Sequence, residues 1–126
     1  MTITVENHWG ISTDIDRHIR IVDQAAGLLS PSLRPRFGCC FDPANTAPSP
    51  KKVTWWRELT QRANHYHLKT TTFDSTDLPH SFLFKLLQES GYRGDVTIEF
   101  AGSGSPTAGI KQSARLFYQP GALFQI

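Results

Sequence analysis

The 126-residue chain is short of charge excess: 13 Lys plus Arg stand against 11 Asp plus Glu, leaving a formal net charge of +2. So slight an excess argues against a nucleic-acid or acidic-membrane surface, either of which needs clustered base. The chain also has no uncharged run of about 18 apolar residues, which argues against a spanning helix. Its first residues lack the apolar core of a secretory signal. The expected location is the cytoplasm, with no membrane partner. Cysteine is scarce as well. The two thiols, Cys39 and Cys40, are neighbours whose side chains on a strand point to opposite faces, so they are badly placed to bond each other. They suit a reducing compartment and read as small core residues.

What is there is enough for a core. Hydrophobic residues make up 39% and aromatics 11%, too much for a disordered chain, and the length suits one domain over residues 1–126. Four similar units follow one another, each a strand-like run and then a helix-like run. Thr2 to Glu6 alternates as a half-buried strand does. Ser12 and Thr13 offer N-caps to a helix whose apolar positions are Ile15, Ile19, Val22, Ala26 and Leu29. Phe37 to Asp42 reads as the second strand, and Trp55, Trp56, Leu59 and Ala63 as a second helix capped by Thr54. Asn64 to Lys69 is the third strand, followed by a helix that Pro79 opens and a left-handed Gly91 closes. Asp95 to Phe100 is the fourth strand, and Ile110, Ala114 and Phe117 mark the last helix.

Strand and helix alternating four times imply parallel strands with right-handed crossovers. A small doubly wound sheet and a piece of a (β/α)₈ barrel both fit that order. Strand parity separates them. Thr2, Thr4 and Glu6 share one face, as do Gly38, Cys40 and Asp42, then His65, His67 and Lys69, then Thr97 and Glu99. The opposite sets are apolar. A sheet covered on both faces favours continuous apolar runs instead, so the parity points to a barrel wall with helices outside and chemistry at its C-terminal rim. Glu6, Asp42, His67 and Glu99 then come one from each strand, at intervals of about one βα unit. Converging carboxylates resist ionisation unless a cation sits among them. Three carboxylates with one imidazole suit Mn²⁺ or Mg²⁺, with Co²⁺ tolerated, better than a thiol-type zinc site.

The segments Val5-Glu6-Asn7-His8-Trp9-Gly10, Phe41-Asp42-Pro43-Ala44-Asn45, His65-Tyr66-His67-Leu68-Lys69 and Gly91-Tyr92-Arg93-Gly94-Asp95-Val96-Thr97-Ile98-Glu99-Phe100 together carry a resemblance. In this order they resemble the xylose isomerase-like TIM-barrel superfamily of sugar phosphate isomerases and epimerases. The match spans nearly the whole chain but only strands five to eight, the C-terminal half, of that barrel. The resemblance implies a divalent metal held by Glu6, Asp42, His67 and Glu99. It also implies that Glu6 and Glu99 act as the acid–base pair in an isomerase or epimerase of a small sugar or keto-polyol, working through an enediolate. His8, Trp9, Asn45 and Lys69 are the candidate substrate contacts, and Trp55 and Trp56 read as packing residues. Endonuclease-type members have a histidine where this chain has Asn45, which argues against DNA repair. Gly102-Ser103-Gly104-Ser105-Pro106 is a candidate phosphate loop before a helix. Four strands cannot close a barrel, so the expected partner is a second copy in a homodimer or a separate N-terminal half. The other expectation is a truncated half-barrel without activity, serving as a structural or interaction module.

Overall fold

β-Branched and polar residues alternate over the first strand, β1 (Ile3–Glu6), and a computed structural model of the chain places three more strands beside it. The described residues are 1–70, 77–100 and 104–118. β2 is Phe37–Phe41, β3 is Ala63–Leu68 and β4 is Asp95–Ile98. All three pairings are parallel, and the strand order is β1-β2-β3-β4. The helices between and after them are α1 (Ile15–Leu28), α2 (Lys52–Arg62), α3 (His80–Glu89) and α4 (Pro106–Arg115). The fold is α/β with a four-stranded parallel sheet. Its order never reverses, so it has no switch point of the doubly wound kind.

With right-handed crossovers and no reversal, successive helices fall on one side of the sheet. The core sits there. Cys39, Phe41, Tyr66 and Leu68 from the strands pack with Ile15 of α1, Trp56 and Leu59 of α2, and Leu83, Phe84, Leu86 and Leu87 of α3. Val96 and Ile98 join from β4. Trp55 and Trp56 are packing residues as expected. The Trp56 indole donates to Thr46 Oγ1 at 3.2 Å beneath the Lys52 ammonium, and Trp55 donates to Asp16 Oδ1 at 2.8 Å, tying α2 to α1.

Several boundaries differ from the sequence expectation, each for a local reason. Asp14, not Ser12 or Thr13, caps α1, its Oδ1 accepting from Arg17 N at 3.0 Å. Ser12 and Thr13 are engaged one turn earlier: Ser12 Oγ accepts from His8 N, and Thr13 Oγ1 donates to His8 O. Thr54 lies inside α2, which starts two residues sooner. Pro79 is the residue before α3 rather than in its first turn. Gly91 does close α3 in the left-handed region, at φ 71°, with Tyr92 N bonded to Leu87 O and Gly91 N to Gln88 O. β4 stops at Ile98, although Glu99 N still reaches Leu68 O at 3.0 Å. Of the candidate phosphate loop, Gly102 and Ser103 lie outside the described residues.

One irregularity sets the sheet's faces. Cys39 pairs with Ala63, but Cys40 pairs with His65, so Asn64 is an extra residue in β3. A strand slipped by one residue turns every side chain over. The bulge at Asn64 therefore puts His65 and His67 on the face of Cys40 and Asp42, and Tyr66 and Leu68 in the core.

A candidate metal centre at the C-terminal ends of the strands

Glu6 is the last residue of β1, Asp42 follows the last of β2, His67 is the penultimate residue of β3, and Glu99 follows the last of β4. All four project from the face opposite the core. They converge: one ligand atom from each lies within 4.8 Å of every other. His67 Nδ1 is 2.8 Å from Glu99 Oε2, 3.3 Å from Glu6 Oε1 and 3.9 Å from Asp42 Oδ2. Despite this closeness Nδ1 is a buried atom with no aligned hydrogen-bond partner among the described residues. A ring nitrogen facing three carboxylates without a directed bond is the donor arrangement that a cation satisfies, so the residues present fit a divalent metal.

Lys69 is the nearest resident cation. Its Nζ lies 2.6 Å from Asp42 Oδ2 and 3.2 Å from Glu99 Oε1, and the residue is only 5% exposed. It is neither a solvated rim lysine nor turned toward open space. Burial works to lower its pKa, but Asp42 and Glu99 outweigh that and hold the ammonium above its ordinary range. Asp42 is fully buried, and that burial pushes its carboxyl up against the opposing pull of Lys69 and the Ala44 N–H. Three carboxylates and one ammonium leave two negative charges when all are ionised, which a divalent cation neutralises.

The surrounding shell was only partly anticipated. Asn45, expected as a substrate contact, donates through Nδ2 to Glu6 Oε1 at 3.1 Å and to Asp42 Oδ2 at 2.9 Å. It holds two carboxylates in place. Asn7, which the sequence offers only as part of a motif, is fully buried. Its Nδ2 donates to Asp42 O at 2.7 Å and its Oδ1 accepts from Asp42 N at 2.9 Å. The amide thus mimics one more rung of the β1–β2 ladder and fixes the backbone that carries the Asp42 carboxylate. Its position directly after the strand's last inward residue was the available signal. His8 and Trp9 lie beyond the rim, both exposed, their rings edge to face at 5.9 Å, and neither belongs to the converging set.

A cleft of about 700 Å³ opens at the other end of the sheet, lined by Thr2, Asn64, Tyr92, Arg93 and Asp95 among others. It lies at the strands' N-terminal ends, and of the converging ionisable groups among the described residues only His65 lines it. Glu6, Asp42, His67 and Glu99 meet at the C-terminal ends.

The sequence matches no protein-family model, no curated protein and no solved structure.

Proposed function

We propose that the chain is the C-terminal half of a (β/α)₈ barrel of the xylose isomerase-like kind, and that it isomerises or epimerises a small sugar or keto-polyol with a divalent metal. The observation that carries this reading is the convergence of Glu6, Asp42, His67 and Glu99 from the C-terminal ends of four successive parallel strands. The single-sided packing of the helices supports the barrel part of it, because a barrel wall needs its inner face free.

Mn²⁺ or Mg²⁺, with Co²⁺ as a substitute, supplies polarisation of the substrate's carbonyl and hydroxyl oxygens when bound. Glu6 and Glu99 flank the reacting carbon: one takes its proton, the sugar passes through an enediolate, and one returns the proton to the same or the adjacent carbon. Asn45 and Lys69 keep the carboxylates oriented before substrate arrives, and Asn7 holds Asp42. The other four strands come from a second half-barrel, either another copy of this chain or a separate N-terminal half.

The test is thermal unfolding with and without Mn²⁺. The metal raises the melting temperature of the wild type by several degrees and leaves Glu99→Gln unmoved. A wild-type curve indifferent to Mn²⁺ would remove the basis of this reading.

The second reading is a non-catalytic half-barrel acting as an interaction module. Lys69 favours it, since an ammonium already placed between Asp42 and Glu99 stabilises the carboxylates without any metal. The same titration separates the two, because an interaction module gains nothing from Mn²⁺.

A further inference from the structure

The face that carries the carboxylates also carries the chain's one inward thiol. Cys40 of β2 stands opposite His65 of β3 because of the bulge at Asn64, and His67 is the next residue on the same face. One ligand atom from each of Cys40, His65 and His67 lies within 4.8 Å of the others. The two imidazoles meet edge to face at 5.3 Å. Thr97 Oγ1 lies 2.8 Å from His65 Nε2 and fixes that ring from β4, as outer partners of ligating histidines do. The core cluster on the sheet's other side includes none of these three.

A thiol with two imidazoles is a different donor set from three carboxylates with one. Sulfur and ring nitrogen select Zn²⁺ and its soft relatives, whereas Mn²⁺ and Mg²⁺ prefer oxygen. We propose that Cys40, His65 and His67 form a second cation site, for thiophilic divalent ions of the Zn²⁺ and Cd²⁺ class, beside the carboxylate centre.

Zinc–sulfur bonds of about 2.3 Å and zinc–nitrogen bonds of about 2.0 Å require the three atoms to draw in by roughly an ångström, which rotations of short side chains supply. Water completes the tetrahedron. As the metal–sulfur bond forms, the S–H bond breaks and its proton passes to solvent, with no change of oxidation state. Glu6, Asp42 and Glu99 place negative charge beside the thiol. The same negative charge attracts the cation that displaces the proton. Because His67 belongs to both sets, a thiophilic ion here withdraws the imidazole from the carboxylates. Zinc-class metals then antagonise Mn²⁺ at the neighbouring centre; this antagonism rests on the function proposed above, whereas the thiol site itself does not.

Titration of the whole chain with Cd²⁺ tests the site, read by the sulfur-to-cadmium charge-transfer absorption in the ultraviolet. The expected result is a saturable band at one ion per chain that disappears in Cys40→Ser and persists in Cys39→Ala. In His65→Gln the affinity falls by about tenfold or more, and in Glu99→Gln the band is retained. A band that survives Cys40→Ser, an affinity unchanged in His65→Gln, or no band in the wild type overturns the proposal. Should a variant fail to fold, competition in the wild type decides. One equivalent of Zn²⁺ bleaches the Cd²⁺ band and a chelator followed by Cd²⁺ restores it, whereas a band indifferent to Zn²⁺ overturns the site. Loss of the Mn²⁺ melting shift without loss of the Cd²⁺ band would count against the isomerase reading alone.

Discussion

His18 is a polar residue inside the core. It is fully buried on α1, and its Nε2 approaches Cys39 Sγ at 3.4 Å. Burial lowers its pKa from the ordinary 6.5. The native protein therefore refuses a proton that the unfolded chain accepts, and stability falls as pH drops below about 6.5. Replacing His18 by Leu removes that contribution. In urea unfolding at about pH 7.5 and about pH 5.5, the wild type should lose on the order of 1 kcal/mol more than the variant on acidification. His80, whose pKa burial also lowers, leaves the variant some slope of its own. Parallel pH dependences for the two proteins would show that His18 is protonated without penalty. The residue also marks a limit of sequence reading. It falls three positions after Ile15 and four before Val22, on the buried stripe, but the stripe was drawn from apolar residue types alone. By contrast Glu6, Asp42, His67 and Glu99 were legible from parity, because a strand's period of two assigns each side chain a face. Parity says nothing of Asn45 and Lys69 bonding the carboxylates; that depends on distances across the sheet, which local sequence does not encode.

Among the elements, β2 and β3 make the decisive pairing. A Cβ added at Gly38 would lie 2.5 Å from the Arg62 carbonyl oxygen and 2.7 Å from Asn64 Nδ2. The close approach exists because the Asn64 bulge lets its side chain fold across β2. Gly38→Ala should accordingly destabilise the protein by about 1–3 kcal/mol, since one of the obstructing atoms is backbone and cannot swing aside. Gly27 supplies the opposite sign. It lies within α1 with nothing within 4 Å of an added Cβ, and Gly27→Ala should stabilise by about 0.5–1 kcal/mol. Denaturant midpoints measure both, and a harmless Gly38→Ala would mean that the β2–β3 register is looser than this packing requires. The order of the elements was readable because period-2 and period-3.6 patterns alternate along the chain. Their ends were not, because caps are decided by competition: Ser12 and Thr13 are sound N-caps by type, yet the turn after β1 engages both and leaves α1 to Asp14. The bulge was equally hidden. A strand with an extra residue reads as a strand until its partner is known.

At the scale of the whole molecule, the described sheet has its core helices on one side and ends at β1 and β4. Among the described residues β1 and β4 each pair with one strand only, so the outer side of each presents backbone donors and acceptors with no described strand beside them. Parallel sheets are ordinarily covered on both faces, so the surface that carries Glu6, His65 and Glu99 is anomalous for an isolated unit. Apolar side chains gather near the β1 edge: Ile3 is 53% exposed, and Trp9 and Ile11 are each 61% exposed. Both kinds of open surface are relieved together if the β4 edge of one copy meets the β1 edge of another and the uncovered faces turn toward each other. We therefore expect sedimentation equilibrium at micromolar concentration to give a species of about twice the 14.2 kDa chain mass. Ile3→Lys should shift that species toward monomer, because a charge on the edge opposes strand-to-strand association. Metal binding gives the assembly a second signature, since two copies set two carboxylate quartets at one rim and Mn²⁺ should then bind at two ions per dimer. A monomer that unfolds cooperatively at every concentration, with its sheet face open to water, would leave the edges stable alone. The half-barrel reading would then lose its geometric support, while the converging carboxylates of the single chain would still have to be explained.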